Sequence, residues 1–174
     1  MTIIAISGHA NVGKTTTVKQ LIEILKIESN KKGYSVLDIS QEYTLVGNFK
    51  IFKIKELNTI IGFGLDGDFV SQVEQNCKNA DSAKVDIFIQ TTRTKGQGVD
   101  YLYHFAKNQH DIIQIGTINN YFGLPSKFLA DDSSFDVIKA IQTKNVWNLL
   151  LYILQKNYNF KESDQSDNFK HNRL

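Results

Sequence analysis

The chain has 174 residues, of which 41% are hydrophobic and 22% are charged, and its formal net charge is +2. This length and composition suit one globular domain with a single core. A net charge this small gives no argument for a nucleic-acid partner. The single cysteine, Cys77, excludes an internal disulfide and predicts a reducing, cytoplasmic location. No apolar run reaches the roughly 18–20 residues that span a bilayer, so we expect no membrane partner.

Strands and helices alternate along most of the chain. Apolar runs predict strands at residues 2–6, 34–39, 49–55, 84–90 and 111–116. Amphipathic or apolar segments predict helices at residues 15–28, 69–79, 99–108 and 145–156. Residues 58–68 are compatible with a strand that runs into an acidic turn, or with a loop. This alternation predicts an α/β fold in which helices cover both faces of a mainly parallel sheet.

The last predicted helix, residues 145–156, is apolar nearly all round. This pattern favours a helix packed on the sheet, and a subunit contact is the alternative interpretation. Residues 157–174 are polar and charged, so we expect a flexible tail. The chain has no internal repeat and no linker, which predicts a single domain over residues 1–156.

The most specific motif is Gly-His-Ala-Asn-Val-Gly-Lys-Thr at residues 8–15, which fits the phosphate-binding P-loop G-x-x-x-x-G-K-[ST]. It lies between a predicted strand and a predicted helix, so we expect a P-loop NTPase with a three-layer sandwich fold. The two glycines allow a tight turn that aims backbone N–H groups and the helix N-terminus at phosphates. Lys14 should reach the β- and γ-phosphates of ATP, and Thr15 should hold Mg²⁺. The predicted nucleotide contacts are Gly8, Asn11, Val12, Gly13, Lys14, Thr15 and Thr16.

A P-loop enzyme also needs an acidic side chain that organises Mg²⁺ and water. Asp66 and Asp68 follow an apolar stretch and are the best-placed candidates, although the same residues also fit a simple turn. The alternative is an acid on the second predicted strand, Asp38, or in the turn after it, Glu42. We expect the carboxyl end of that strand at the sheet edge that carries the P-loop, where ligands bind in open α/β sheets.

Further stretches resemble the FtsK/HerA superfamily of DNA-pumping ATPases. Val-Leu-Asp-Ile-Ser-Gln-Glu-Tyr at residues 36–43 resembles that superfamily's strand and turn V-L-D-x-x-x-E-Y. Ile-Phe-Ile-Gln-Thr-Thr-Arg at residues 87–93 is similar to its strand ending in T-Q-R. Val99-Asp100 resembles the V-D that follows, and residues 111–113 resemble its closing strand. The short chain is similar to the viral genome-packaging branch.

This resemblance covers residues 2–116 and implies an ATP-driven DNA translocase. It implies a ring of identical subunits, double-stranded DNA, a capsid or portal partner and, for a virus, the host cytoplasm. It also implies that Thr92, which stands where the family has Gln, or Gln90 senses the γ-phosphate. Arg93 would contact that phosphate in cis or across a subunit interface, and a solvated surface role is the alternative. The family's Walker B, four apolar residues and then Asp-Glu, has no clean counterpart here.

Three other functions are compatible with a P-loop. Small-molecule and nucleotide kinases clamp phosphates with several Arg side chains, whereas this chain has only Arg93 and Arg173. A GTPase needs an N-K-x-D motif, and the nearest candidate, residues 118–121, lacks its Lys and its Asp. A nucleotide-binding regulator that has lost hydrolysis is the third, since the Walker B match is weak.

Overall fold

The computed structural model describes residues 1–10, 12–107, 110–116 and 132–160. Within these ranges six strands form one sheet: β1 Thr2–Ser7, β2 Val36–Asp38, β3 Phe49–Ile54, β4 Thr59–Gly64, β5 Ile87–Thr92 and β6 Asp111–Gly116. The α-helices are α1 Lys14–Lys31, α2 Val70–Ser82, α3 Gln97–Ala106 and α4 Asp132–Tyr158. Short 3-10 helices follow β2 and β3, at Ser40–Glu42 and Lys55–Leu57.

The strand order is β2-β3-β4-β5-β1-β6. β1 pairs in parallel with both β5 and β6, and β4 pairs in parallel with β5. β3 runs antiparallel to its two neighbours, β2 and β4. The predicted α/β fold is therefore confirmed, with a mixed sheet in which parallel pairs predominate.

Helices cover both faces of this sheet, because β-strand side chains alternate between the faces. Ile4 and Ile6 of β1 share a core with residues of α1 and α4, whereas Ile3 and Ala5 share a second core with α2 and α3. The arrangement is compatible with a three-layer sandwich. None of the described helices combines the length and hydrophobicity that a membrane-spanning helix needs.

Several element boundaries differ from the predicted ones. Residues 58–68 form β4 and the turn after it, which is the first of the two predicted alternatives. β5 extends to Thr92, two residues beyond the predicted strand, because it pairs with β1 as far as Ser7. α4 begins at Asp132, well before the predicted start at residue 145. The predicted motif residue Asn11 and the GTPase candidate at residues 118–121 lie outside the described residues.

The first residues of the predicted tail belong to the packed structure. α4 continues to Tyr158, and Phe160 is only 3% exposed. The Phe160 ring stacks on that of Tyr34, with 4.8 Å between the ring centroids. Burial of this aromatic pair holds the end of α4 against the segment that leads into β2. The rest of the predicted tail, residues 161–174, lies outside the described residues.

Substitutions of Leu150 and Tyr152 test whether α4 is a helix packed on the sheet or a subunit contact. Leu150 is fully buried in the core below α1, whereas Tyr152 is 55% exposed. We expect Leu150→Ala to lower the free energy of unfolding by about 2–5 kcal/mol, because it leaves a cavity in the core. Tyr152→Ala is the control and should change stability by less than about 1 kcal/mol. Urea unfolding measures both; a Leu150→Ala variant that dissociates without losing stability would instead identify a subunit contact.

Candidate functional site

The carboxyl ends of β1, β5 and β4 meet at one edge of the sheet. Ser7 pairs with Thr92, and Gly64 pairs with Gln90, so the three strands end nearly level with one another. The segments that follow them are the loop of residues 8–13, the turn of residues 65–68 and the loop that begins at Arg93. Ligands bind at this edge in open α/β sheets.

The loop after β1 leads directly into α1. The Gly8 N–H donates to the Thr92 carbonyl over 3.1 Å, which continues the pairing of β1 with β5 into the loop. Gly13 has a φ of 85°, in the left-handed region that glycine adopts without strain. As a glycine it provides no side-chain cap for the first N–H groups of α1.

A cavity of about 400 Å³, here called the loop cavity, lies in front of this helix end. Its walls are residues 13–16 and 66–69, with Gln72 and Thr91. The predicted site residues Gly13, Lys14, Thr15, Thr16, Asp66 and Asp68 are thus brought together at one cavity. Gly8, Val12, Asp38, Thr92 and Arg93 do not line it.

Lys14 is the buried cation of the loop cavity. Its side chain is 6% exposed, and Nζ donates to the carbonyls of His9 over 2.7 Å and Gly8 over 3.2 Å. The third partner is the Asp68 carboxylate, with Oδ1 at 3.3 Å from Nζ. Burial lowers the pKa of Lys14, and the charge and hydrogen bond of Asp68 oppose that shift. The ammonium is therefore held at the cavity wall by oxygen atoms alone.

Asp66 is fixed by three amide side chains. Its main-chain carbonyl accepts hydrogen bonds from Gln90 Nε2 and Asn76 Nδ2, each over 2.9 Å. Its carboxylate accepts from Asn48 Nδ2 over 2.8 Å. Gln90 and Asn76 are buried, so these hydrogen bonds lie in a low-dielectric environment and hold the turn after β4 in place.

Gly67 lies directly against β5. A Cβ atom at this position would be 1.7 Å from the main-chain oxygen of Thr91, a distance that only glycine permits. The Leu65 carbonyl, just before the turn, accepts hydrogen bonds from the hydroxyls of Thr15 over 2.9 Å and Thr91 over 3.1 Å. The turn is therefore packed between the start of α1 and the end of β5.

A second pocket of about 510 Å³, here called the side pocket, adjoins the loop cavity. Its walls are residues 67–71, Arg93 and residues 95–98, so the two share residues 67–69. Arg93 Nε lies 3.6 Å from Asp68 Oδ1, the carboxylate oxygen that also contacts Lys14. Asp68 thus joins two cations that belong to different pockets.

Asp38 lies far from the loop cavity. β2 is the edge strand, four strands away from β1, which corresponds to roughly 19 Å at about 4.8 Å per strand. Burial alone would raise the pKa of Asp38, but hydrogen bonds from Ser40 and the charges of Lys50 and Lys26 lower it overall. Glu42 lies in the 3-10 helix after β2. The structure does not bring either acid to the site.

Alternation along β5 separates its polar residues. Thr91 lies on the sheet face of Ile89 and α1, and it lines the loop cavity. Thr92 is fully buried on the other face. Its Oγ1 has no hydrogen-bond partner among the described residues and lies 3.9 Å from where a Cβ on Gly98 would be. Neither Thr92 nor the fully buried Gln90 lines the loop cavity.

Sequence reasoning missed Thr91 and Gln72. Thr91 could have been found by counting two residues along the strand from Ile89, had the end of β5 been known. Gln72 lies in the first turn of α2, and its Oε1 accepts the N–H groups of Asp68 and Phe69, both over 3.1 Å. A Gln three residues after a helix start is a capping signal, and it fixes the main chain at Asp68.

Among the described residues, no group of three or more His, Cys, Asp or Glu side chains is arranged to hold a metal ion. Comparisons with protein families, with curated proteins and with solved structures found no match to this chain.

Gly67→Ala tests whether the close contact between the turn and β5 shapes the site. The added methyl group must push the turn away from the Thr91 carbonyl, so we expect a loss of about 1–3 kcal/mol in the free energy of unfolding. Gly98→Ala is a matched control, because its nearest neighbour would be a Val73 side-chain methyl group at 3.3 Å and not a main-chain oxygen at 1.7 Å. Urea unfolding compares the two; equal stabilities would show that the turn relaxes freely.

Proposed function

We propose that this chain is a P-loop NTPase that binds ATP with Mg²⁺ in the loop cavity and cleaves the γ-phosphate. The observation that carries the proposal is one cavity shared by the Lys14 ammonium, the N-terminus of α1 and the carboxylates of Asp66 and Asp68. These are the groups that a magnesium-bound triphosphate requires.

Lys14 would exchange its present partners for phosphate oxygens. In the free chain Nζ contacts two loop carbonyls and the Asp68 carboxylate. An ammonium bound to phosphate makes hydrogen bonds that are assisted by charge on both sides. Because its partners already hold the ammonium at the cavity wall, little further ordering is needed when the ligand binds.

The cavity also offers the oxygen ligands that Mg²⁺ prefers. The Thr15 hydroxyl and the Asp66 carboxylate line it, and Mg²⁺ is commonly held by one or two carboxylates together with substrate phosphates. These residues fit the ion, provided that Thr15 gives up its hydrogen bond to Leu65. When bound, Mg²⁺ neutralises charge on the β- and γ-phosphates. Asp38 has no part in this site because it lies at the far edge of the sheet.

The two acids of the turn differ in their freedom to act. Asp66 is tied to Asn48 through its carboxylate, whereas the Asp68 side chain is 40% exposed and its carboxylate pairs with the cations Lys14 and Arg93. Binding of phosphate to Lys14 would leave Asp68 free to orient the group that attacks the γ-phosphorus. We therefore assign the metal to Asp66 and the attacking group to Asp68.

The use of the hydrolysed ATP is proposed from the sequence resemblance. It is DNA translocation by a ring of identical subunits that works with a capsid or portal protein. β5, the strand that resembles the superfamily's T-Q-R strand, lies between β1 and β4, next to the loop cavity. Arg93 follows this strand and is 47% exposed, so a neighbouring subunit can reach it.

A second candidate function is phosphoryl transfer to a small molecule. The observation that favours it is the side pocket, which opens beside the loop cavity and contains Arg93 and Lys95. A kinase needs a pocket for its acceptor beside the ATP site, whereas a translocase does not.

Lys14→Ala tests the P-loop proposal. We expect the affinity for a non-hydrolysable ATP analogue with Mg²⁺ to fall about tenfold or more, because a charged hydrogen bond to phosphate contributes about 1.5–3 kcal/mol. Titration calorimetry measures the affinity, and GTP in place of ATP measures base preference. Lys19→Ala, an exposed lysine on the same helix, is the control. A folded Lys14→Ala variant that binds ATP like the wild type would refute the proposal.

Arg93→Ala tests the translocase interpretation. If Arg93 acts as an arginine finger, kcat for ATP hydrolysis should fall by about 10³-fold or more while ATP still binds. Arg93→Lys should restore little, because an ammonium lacks the planar fork of a guanidinium. Hydrolysis by the wild type should rise more than linearly with protein concentration and should be stimulated by double-stranded DNA.

Mixing the two variants separates a finger in trans from one in cis. Arg93→Ala and Lys14→Ala subunits should together regain some hydrolysis, because an interface between them can combine an intact lysine with an intact arginine. Normal hydrolysis by Arg93→Ala would make Arg93 a surface residue. A wild type that is active as a dilute monomer and indifferent to DNA would exclude the translocase.

A further inference from the structure

The side pocket concentrates positive charge. Arg93 and Lys95 line it, and the only acidic side chain among its walls is Asp68, which already pairs with Arg93 and Lys14. Asp100 lies in the first turn of α3 but does not line the pocket. The side pocket thus contains two cations, Arg93 and Lys95, and one carboxylate, which is shared with Lys14. This excess of positive charge suits an anion.

The main chain adds to this preference. α3 begins at Gln97, in the wall of the pocket, and its N-cap Gly96 makes no side-chain hydrogen bond. The first intrahelical bond starts at the Asp100 N–H, which donates to the Gly96 carbonyl over 3.1 Å. The preceding N–H groups therefore have no partner within the helix. An anion at this end of α3 would satisfy them and would also be stabilised by the helix dipole.

An independent observation lies behind the same wall. Thr92 is fully buried, and its Oγ1 has no hydrogen-bond partner among the described residues. This hydroxyl lies 3.9 Å from the Cβ position of Gly98, a residue that lines the side pocket and has no side chain to screen it. Buried hydroxyls are normally hydrogen-bonded, so this unpaired hydroxyl places an unsatisfied polar atom directly behind the Gly98 wall of the side pocket.

An exposed aromatic ring in the wall of the side pocket indicates a second chemical group of the ligand. Phe69 is 65% exposed and lines both the loop cavity and the side pocket. An exposed ring beside a phosphate site is the arrangement on which nucleobases stack. The volume of about 510 Å³ is within the usual range for small-molecule pockets. A phosphate group together with an aromatic base therefore matches the chemistry of the pocket lining, which combines Arg93 and Lys95 with the Phe69 ring.

We infer that the side pocket binds a nucleoside monophosphate, with its phosphate at Arg93, Lys95 and the N-terminus of α3 and its base on Phe69. We further infer that this nucleotide accepts the γ-phosphoryl group of ATP, which makes the chain a nucleotide kinase. This second step rests on the proposed binding of ATP in the loop cavity. Binding of the monophosphate in the side pocket does not depend on that proposal.

The position of Asp68 between Lys14 and Arg93 brings the donor and acceptor phosphates close together for transfer of the γ-phosphoryl group. Asp68 Oδ1 lies 3.3 Å from Lys14 Nζ and 3.6 Å from Arg93 Nε. Phosphates that replace Asp68 on the two cations therefore become neighbours. An oxygen of the monophosphate attacks the γ-phosphorus and forms a new P–O bond. The bond from that phosphorus to the β–γ bridging oxygen breaks, and its electron pair leaves with ADP. The attacking phosphate is already ionised near neutral pH, so no proton has to be removed.

The binding test uses the full chain and titration calorimetry. Its ligands are a non-hydrolysable ATP analogue with Mg²⁺, the common nucleoside monophosphates one at a time, inorganic phosphate and a short single-stranded oligothymidylate. We expect at least one monophosphate to bind. Lys95→Ala should weaken its binding about tenfold or more, because a charged contact to phosphate is lost. Lys107→Ala, which removes the same charge at the other end of α3, should leave it unchanged.

Phe69→Ala tests the base. The affinity for the monophosphate should fall about fivefold or more when the stacking ring is removed, whereas the affinity for inorganic phosphate should not change. Incubation of wild type with ATP and the monophosphate that binds should yield the nucleoside diphosphate together with ADP. Lys95→Ala should raise the KM for the monophosphate.

The outcomes separate this inference from the proposed function. A wild type that binds the ATP analogue but no monophosphate overturns the inference and leaves the proposed function standing. Binding of a monophosphate without binding of ATP overturns the proposed function and the transfer step, and supports the side pocket as a nucleotide site. If only the oligothymidylate binds, and Lys95→Ala weakens it, the pocket contacts DNA and the inference is wrong. If a monophosphate binds but no diphosphate forms, the transfer step is overturned.

Discussion

Parallel pairing of β1, β5 and β4 is the constraint on which the site depends. β1 and β5 end level with each other, and β4 ends two residues before the end of β5. Each strand is followed at once by a polar segment: the loop before α1, the Arg93 loop and the acidic turn. The Gly8 N–H bonds to Thr92, and Gln90 bonds to the Asp66 carbonyl, so adjacent segments are tied across strand ends. A shift of one residue in any of these pairings would exchange the faces of the polar side chains.

The sequence predicted those parts of the fold that rest on local patterns. β1, α1 and β6 were found because apolar runs and helical periodicity are local, and the loop at residues 8–15 was found as a motif. Asp38 could not be excluded, since strand order depends on how β2, β3 and β4 pair. Those strands form consecutive antiparallel pairs, which carry β2 to the far edge of the sheet. No local sequence pattern near Asp38 indicates how far β2 lies from β1.

The roles within β5 show a second limit. The order Gln90, Thr91, Thr92 indicates three polar residues at a strand end but not which of them faces the loop before α1. That depends on where the strand ends and on which face α1 covers. The end of the strand follows from the pairing of β5 with β1, and the covered face follows from packing of Ile87 and Ile89 beneath α1. Both are contacts between residues distant in the chain. The side pocket was equally hidden, because it forms only when the starts of α2 and α3 lie side by side.

Asp68 couples the charge of Lys14 in the loop cavity to that of Arg93 in the side pocket. One carboxylate oxygen serves a cation on each side, so a ligand that takes Lys14 changes the charge that Arg93 experiences, and the reverse also holds. Such coupling is reciprocal: any factor by which one ligand alters the affinity for the other applies equally in the opposite direction. The sign depends on whether the released carboxylate strengthens its remaining ion pair or moves away. Cooperativity between ligands of the loop cavity and the side pocket would thus arise from the Asp68 side chain alone.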